Sequence, residues 1–180
     1  MRTLTAIFCV VGIAAIAQAA PTPFTLDNNF ISSWYLSSGS VGPNGSGNAN
    51  PTLTLSIGSR YEVTVANWPF HVVEFLAMGP TDLQDAVLLS QDDSTALFNS
   101  DPAVNFTGFG SAVSQFTLTP ALAAAMTDAG QGLTPGYRCG IHAVTMRGDV
   151  NVVPEPATLF LLALGGLAAL RRRKFRNHIS

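Results

Sequence analysis

Between Gly136 and Gly148 the sequence reads Gly-Tyr-Arg-Cys-Gly-Ile-His-Ala-Val-Thr-Met-Arg-Gly. Eight of these residues, Cys139 to Met146, hold a thiol, an imidazole at His142 and a thioether. Tyr137 before them and Asp149-Val-Asn-Val-Val153 after them have strand character, so the three groups belong on a tight loop joining two strands. For Cys139 and His142 to share one ion, the chain must leave the strand after Cys139. Gly140 is the residue expected to permit that turn. A thiolate, an imidazole and a thioether form a ligand set for copper. One imidazole is missing for a His2Cys plane with a weak axial Met. The candidate is His71, in Asn67-Trp-Pro-Phe-His-Val-Val-Glu-Phe75, which must then come from a strand beside the one ending at Cys139.

Both ends of the chain read as processing segments. Met1-Arg2, the apolar run from Ala6 to Ala17 and the small-residue pattern Ala17-Gln-Ala19 make residues 1–20 a secretory signal peptide, removed after Ala19 or Ala20. At the other end, 157–170 is apolar and is followed by Arg171-Arg-Arg-Lys174 and Arg176. Fourteen helical residues cover roughly 21 Å, short of the roughly 30 Å hydrocarbon core. This predicts a thin or transient membrane span with its basic cluster held on the cytoplasmic side.

Removing both ends changes the inventory. Cys9 leaves with the signal peptide and His178 lies beyond the basic cluster, so the exported domain, residues 21–153, keeps Cys139, His71 and His142 alone. A single exported cysteine implies intermolecular pairing, a reactive thiol or a metal, unless it is simply an inert buried residue. The placing of both histidines and Met146 favours the metal. In the same span three arginines face ten carboxylates, a net charge of −7. Nucleic acid, which demands a basic footprint, is excluded as a partner. A basic protein partner, or plain solubility, suits that charge.

The full chain is 47% hydrophobic and 11% charged, a globular balance even though the two ends inflate the first figure. Phe30 to Leu36 is β-prone, and Ser37 to Pro51 is a Gly/Ser/Asn/Pro loop. Thr52 to Ile57 and Tyr61 to Val65 alternate polar and apolar about the turn Gly58-Ser-Arg60, and Phe70 to Leu76 is the next strand, opened by Pro69. Residues 79–111 form an insertion with short strands or a small helix, and their aspartates suit Asx turns better than a calcium loop. Ala112 to Leu118 resumes strand alternation. Thr119 and Pro120 are an N-cap and first helical residue for a short helix to Met126. Leu133-Thr-Pro-Gly136 reads as a turn. About 135 residues make one domain, an all-β antiparallel sandwich.

The pattern Gly136-Tyr-x-Cys-x-x-His-x-x-x-Met-x-Gly148, with the upstream Asn/Pro/His segment, resembles the cupredoxins, the family of plastocyanin and pseudoazurin. The likeness spans about residues 52–153. It implies an eight-stranded Greek-key sandwich and one copper cycling between Cu(I) and Cu(II). His71, Cys139 and His142 would be equatorial ligands, Met146 the axial one, and electrons would pass through the exposed edge of the loop histidine. Three departures stand out: Val72 replaces the usual Asn after the first His, Ile141 the usual Pro before the second, and the stretch between His71 and Cys139 is long. The tail 154–180, with Val153-Pro-Glu-Pro-Ala157, an apolar run and the basic cluster, resembles the PEP-CTERM sorting signal of Gram-negative bacteria. That likeness implies recognition by an exosortase, removal of the tail, and delivery to the surface or the exopolysaccharide matrix. The protein would be exported to the periplasm or cell surface, membrane-held by an apolar C-terminal helix until processed.

Residues and tail together support two functions. The first is an exported type 1 copper protein that moves single electrons to or from a redox protein partner. The second is a surface or extracellular-matrix β-sandwich that binds copper for storage or structure, or has lost the metal. Neither is an enzyme. A Cys–His nucleophile pair would lack a third orienting residue and would have no use for a thioether, and zinc would not need Met146. Trp68 and Phe70 are expected to form an apolar shell beside the metal, or plain packing, rather than a partner surface.

Overall fold

The computed structural model describes residues 20–155; the expected signal peptide up to residue 19 and the expected apolar tail helix lie outside the described residues. Nine strands and one helix make up the body: β1 (Thr22–Asn28), β2 (Trp34–Ser38), β3 (Leu53–Ser56), β4 (Arg60–Val65), β5 (Val73–Met78), β6 (Ala86–Ser90), β7 (Val113–Thr117), α1 (Pro120–Met126), β8 (Thr134–Cys139) and β9 (Arg147–Val153). They form two sheets, β2-β1-β4-β7 and β3-β9-β8-β5-β6.

Alternation decides which side chains meet between the sheets. Phe24, Leu26, Val63, Val65 and Phe116 from one sheet face Leu53, Leu55, Phe75 and Tyr137 from the other, all buried. The Phe75 and Phe116 rings lie 4.9 Å apart, and the Ser56 N–H donates to the Tyr61 hydroxyl at 2.6 Å across the layers. Each large apolar side chain buried this way contributes about 1.5–3 kcal/mol. The one cysteine among the described residues is free, so burial replaces covalent stapling. Every residue of β5 is buried, and α1 packs against β5, β6 and β8. As expected, the Thr119 hydroxyl caps α1, accepting from the Leu122 N–H at 3.1 Å, with Pro120 in the first turn.

This is the expected two-sheet sandwich with a short helix, but it has nine strands among the described residues where the cupredoxin resemblance implies eight, and both sheets are mixed instead of purely antiparallel. The β1–β4 and β3–β9 pairs run parallel. Strand β1 was not anticipated. Phe30 to Ser33 is a turn, closed by the Asn29 N–H donating to the Ser33 carbonyl at 3.0 Å, so β2 starts only at Trp34. The turn Asn67–Phe70, closed at 3.0 Å from the Phe70 N–H to the Asn67 carbonyl, delays β5 to Val73 and leaves His71 just outside the strand. Pro135 and Gly136 lie within β8 instead of a turn, paired with Ala77 and Leu76.

Segment 79–111 supplies a turn of 3-10 helix (Asp82–Gln84) and β6, which extends the second sheet. Its remainder is turns, among them 103–106, which is not strand although Val104 is in the core. Asp93 and Asp101 accept from the N–H groups of Thr95 and Ala103, both at 2.8 Å, as Asx turns should.

Candidate metal centre

Three strand ends meet at one pole of the sandwich. Strand β5 begins there, β8 ends there at Cys139, and β9 begins there at Arg147. Val73 is the cross-strand partner of Cys139, which brings His71, two residues earlier, over the sulfur. The Cys139 Sγ lies 3.7 Å from His71 Nδ1 and 3.6 Å from His142 Nδ1, and the two imidazole rings are 5.0 Å apart. One ligand atom from each of the three residues falls within 4.8 Å of the others. Met146, at the end of the same loop, is fully buried.

Backbone bonds set the loop. The Cys139 N–H donates to the Met146 carbonyl at 2.8 Å, closing its base, and the Met146 N–H donates to the His142 carbonyl at 3.0 Å. The Gly140 N–H reaches the Val72 carbonyl at 3.1 Å, so the two ligand segments are tied directly through backbone. Gly140, expected to permit the turn, does so without a positive φ. Its need is space: a Cβ there would meet Val72 Cγ2 at 3.0 Å and Glu74 Oε1 at 3.1 Å.

Burial separates the three ligand candidates. Cys139 and His71 are buried and His142 is half exposed, so the His142 edge is the part of the cluster open to solvent. Burial first, and then the charge of His142, hold His71 below the ordinary imidazole value. The ring therefore stays neutral and keeps a lone pair for a metal. Sulfur and two imidazole nitrogens turned toward one point fit a copper ion better than a hard cation, which seeks oxygen.

Several supporting residues escaped sequence reasoning. Trp34, fully buried, packs edge-on to His71 with centroids 5.8 Å apart, the place expected for Trp68 or Phe70. Phe70 is instead 75% exposed. Asn50 accepts from the Trp34 N–H and donates to the Thr145 carbonyl, both at 2.9 Å, hooking the ligand loop to β2. Gln91 accepts from the Val73 N–H at 3.0 Å and donates to the Ser114 hydroxyl at 3.2 Å, joining β5 to β7. Only Asn50 left a trace in the sequence, as the last Asn of a turn-forming run, suited to its φ of 49°.

Fold and cluster define a class: a β-sandwich with a sulfur–nitrogen donor set at one pole. Residues 152–174 match the PEP-CTERM protein-sorting motif, which marks a protein exported and directed to the surface and implies exosortase-type processing. No curated protein matches the sequence. Among solved structures, a methionine-to-glutamine variant of rusticyanin is similar at 19% identity over 73% of this chain and 76% of that one, with a TM-score of 0.38. Reduced rusticyanin is similar at 18% identity over 73% and 78%, with a TM-score of 0.37. Among the described residues, no helix is long and apolar enough to cross a membrane.

Proposed function

We propose that this is an exported, surface-directed copper protein with a type 1 site, acting as a single-electron carrier and not as an enzyme. His71, Cys139 and His142 would hold the metal, with Met146 of the same loop as a fourth ligand. The observation that carries the reading is the convergence of the Cys139 sulfur and two imidazoles, from segments 68 residues apart, within 4.8 Å. Bound copper would supply a one-electron couple. The chain's own part is to keep the donors in place in both redox states. The loop bonds from Cys139 to Met146 and from Gly140 to Val72, and the edge contact of Trp34 with His71, serve that end.

Access would be through His142. Around it the pole exposes Phe30, Ile31, Phe70, Ile141 and Val144. The Thr145 hydroxyl bonds the Ile31 carbonyl at 2.6 Å, so the turn bearing Phe30 and Ile31 adjoins the ligand loop. Phe30 is 85% exposed at φ 55°, a left-handed aromatic that gains nothing from burial. A redox protein with an apolar contact face suits this collar.

The domain would span residues 21–153, following a signal peptide at 1–20, and 154–180 would hold it at the membrane of a Gram-negative cell until processed. The sorting motif favours a second reading, a matrix or surface protein that uses copper for storage or structure, because a matrix is an unusual place for a soluble carrier. Colour separates the two. The purified protein with Cu(II) should turn intensely blue through thiolate-to-metal charge transfer, and Cys139→Ser should stay colourless. A colourless wild type with stoichiometric bound copper would favour storage, and a wild type binding no copper would end the carrier reading and leave a surface sandwich that has lost the metal.

A further inference from the structure

Arg138 stands immediately before Cys139 and Arg147 immediately after Met146, and the two are cross-strand partners on β8 and β9. Two guanidinium groups thus oppose each other at the mouth of the ligand loop, 15% and 22% exposed. Like charges directly opposite one another push strands apart, and partial burial weakens the screening that would soften this. A side chain from segment 79–111 lies between them. The Asp85 carboxylate is 0% exposed; Oδ2 accepts from Arg138 Nη1 at 2.8 Å, while Oδ1 accepts from Arg147 Nη2 at 3.2 Å and from the Gly79 N–H at 3.0 Å. Glu74, the β5 partner of Arg138, accepts from its Nε at 2.7 Å. Two carboxylates and two guanidiniums form a strap across β5, β8 and β9, directly below the Cys139–Met146 backbone bond.

We infer that Asp85 is a positioning residue for the ligand loop: by bridging two opposed arginines it holds Cys139 and Met146 together before any metal arrives. The segment between β5 and β7 thereby acquires a task at the site, although none of its residues is a ligand candidate. Removing Asp85 takes away the one carboxylate that both guanidiniums share, a costly change in a buried charge set, and the strands that separate would be the two bearing the ends of the loop. The functional meaning of the strap rests on the metal reading above. Its mechanical effect does not.

The test is therefore made first on the metal-free protein. In Asp85→Asn, amide hydrogen exchange at residues 139–146 should quicken by about tenfold or more while β1 and β4 keep wild-type rates. Copper affinity, by competition with a chelator, should fall by a similar factor. Adding Arg147→Gln removes the opposed charge, so the double variant should return loop exchange to within about threefold of wild type. Loop exchange unchanged in Asp85→Asn would overturn the inference, as would equal loosening of β1 and β4, which would mean a general loss of stability. Should the single variant fail to fold, the double variant decides: a folded protein with a near-wild-type loop supports the strap, and a loose loop refutes it. A wild type that binds no copper would remove the metal reading and leave the exchange result to judge the strap alone.

Discussion

Gly140 illustrates how a single residue is constrained by its neighbours and not by its own backbone. The chain passes so close to Val72 and Glu74 that a methyl group would arrive at 3.0–3.1 Å from both. Overpacking of this kind costs about 1–3 kcal/mol. Gly140→Ala should lower stability by that amount in urea unfolding; no change would show that Val72 and Glu74 move aside freely. Gly148 has a related constraint, with a Cβ position 2.7 Å from the Tyr137 ring. The Tyr137 hydroxyl donates to the Pro51 carbonyl at 2.6 Å, and burial raises its pKa, so it remains a protonated donor. The pole around the cluster is thus held by small residues that admit close contacts and by paired polar groups such as the Tyr137 hydroxyl.

At the scale of elements, the ligand loop is fixed on two sides. Strands β8 and β9 hold its ends, and Asn50 fastens its far side to β2 in the opposite sheet. The Asn50 N–H also donates to the Trp34 carbonyl at 2.8 Å, so backbone and side chain both grip the strand start that carries the His71 neighbour Trp34. Asn50→Ala removes two side-chain bonds and leaves alanine in a left-handed conformation, at a cost of about 1–3 kcal/mol. Thermal unfolding should show the drop, and the metal-loaded protein should release copper faster to a chelator. Unchanged release would mean that the strands alone hold the loop.

For the whole molecule, direction matters most. Strand β9 runs from the cluster to Val153, a rise of about 23 Å over seven residues, and the sorting motif overlaps its last two residues. Thr22 pairs with Tyr61 at the same far pole, where Ala20, Gly58, Arg60 and Glu155 line a recess of about 230 Å³. Both described termini therefore lie opposite the cluster. If the tail holds the unprocessed protein at a membrane, His142 and its apolar collar point away from the bilayer. In vesicles carrying the tailed protein, a fluorophore on Val144→Cys should be quenched from the aqueous phase, and one on Ser59→Cys by a lipid-phase quencher. The reverse pattern would contradict that orientation.

Local chemistry was legible in the residues themselves. The order of donors in 139–146, the alternation of β3, β4 and β7, and the Thr119–Pro120 helix start depend on near neighbours in sequence, where spacing and side-chain type decide the outcome. Strand β1 shows the same alternation at Phe24 and Leu26 and could have been found by it. What required tertiary structure was pairing at a distance. That His71 stands over Cys139, that two strand pairs run parallel, and that Asp85 lies between two arginines follow from register and sheet order. A buried carboxylate is read as such only when its cations are placed, because the cost of burying a charge depends on what faces it.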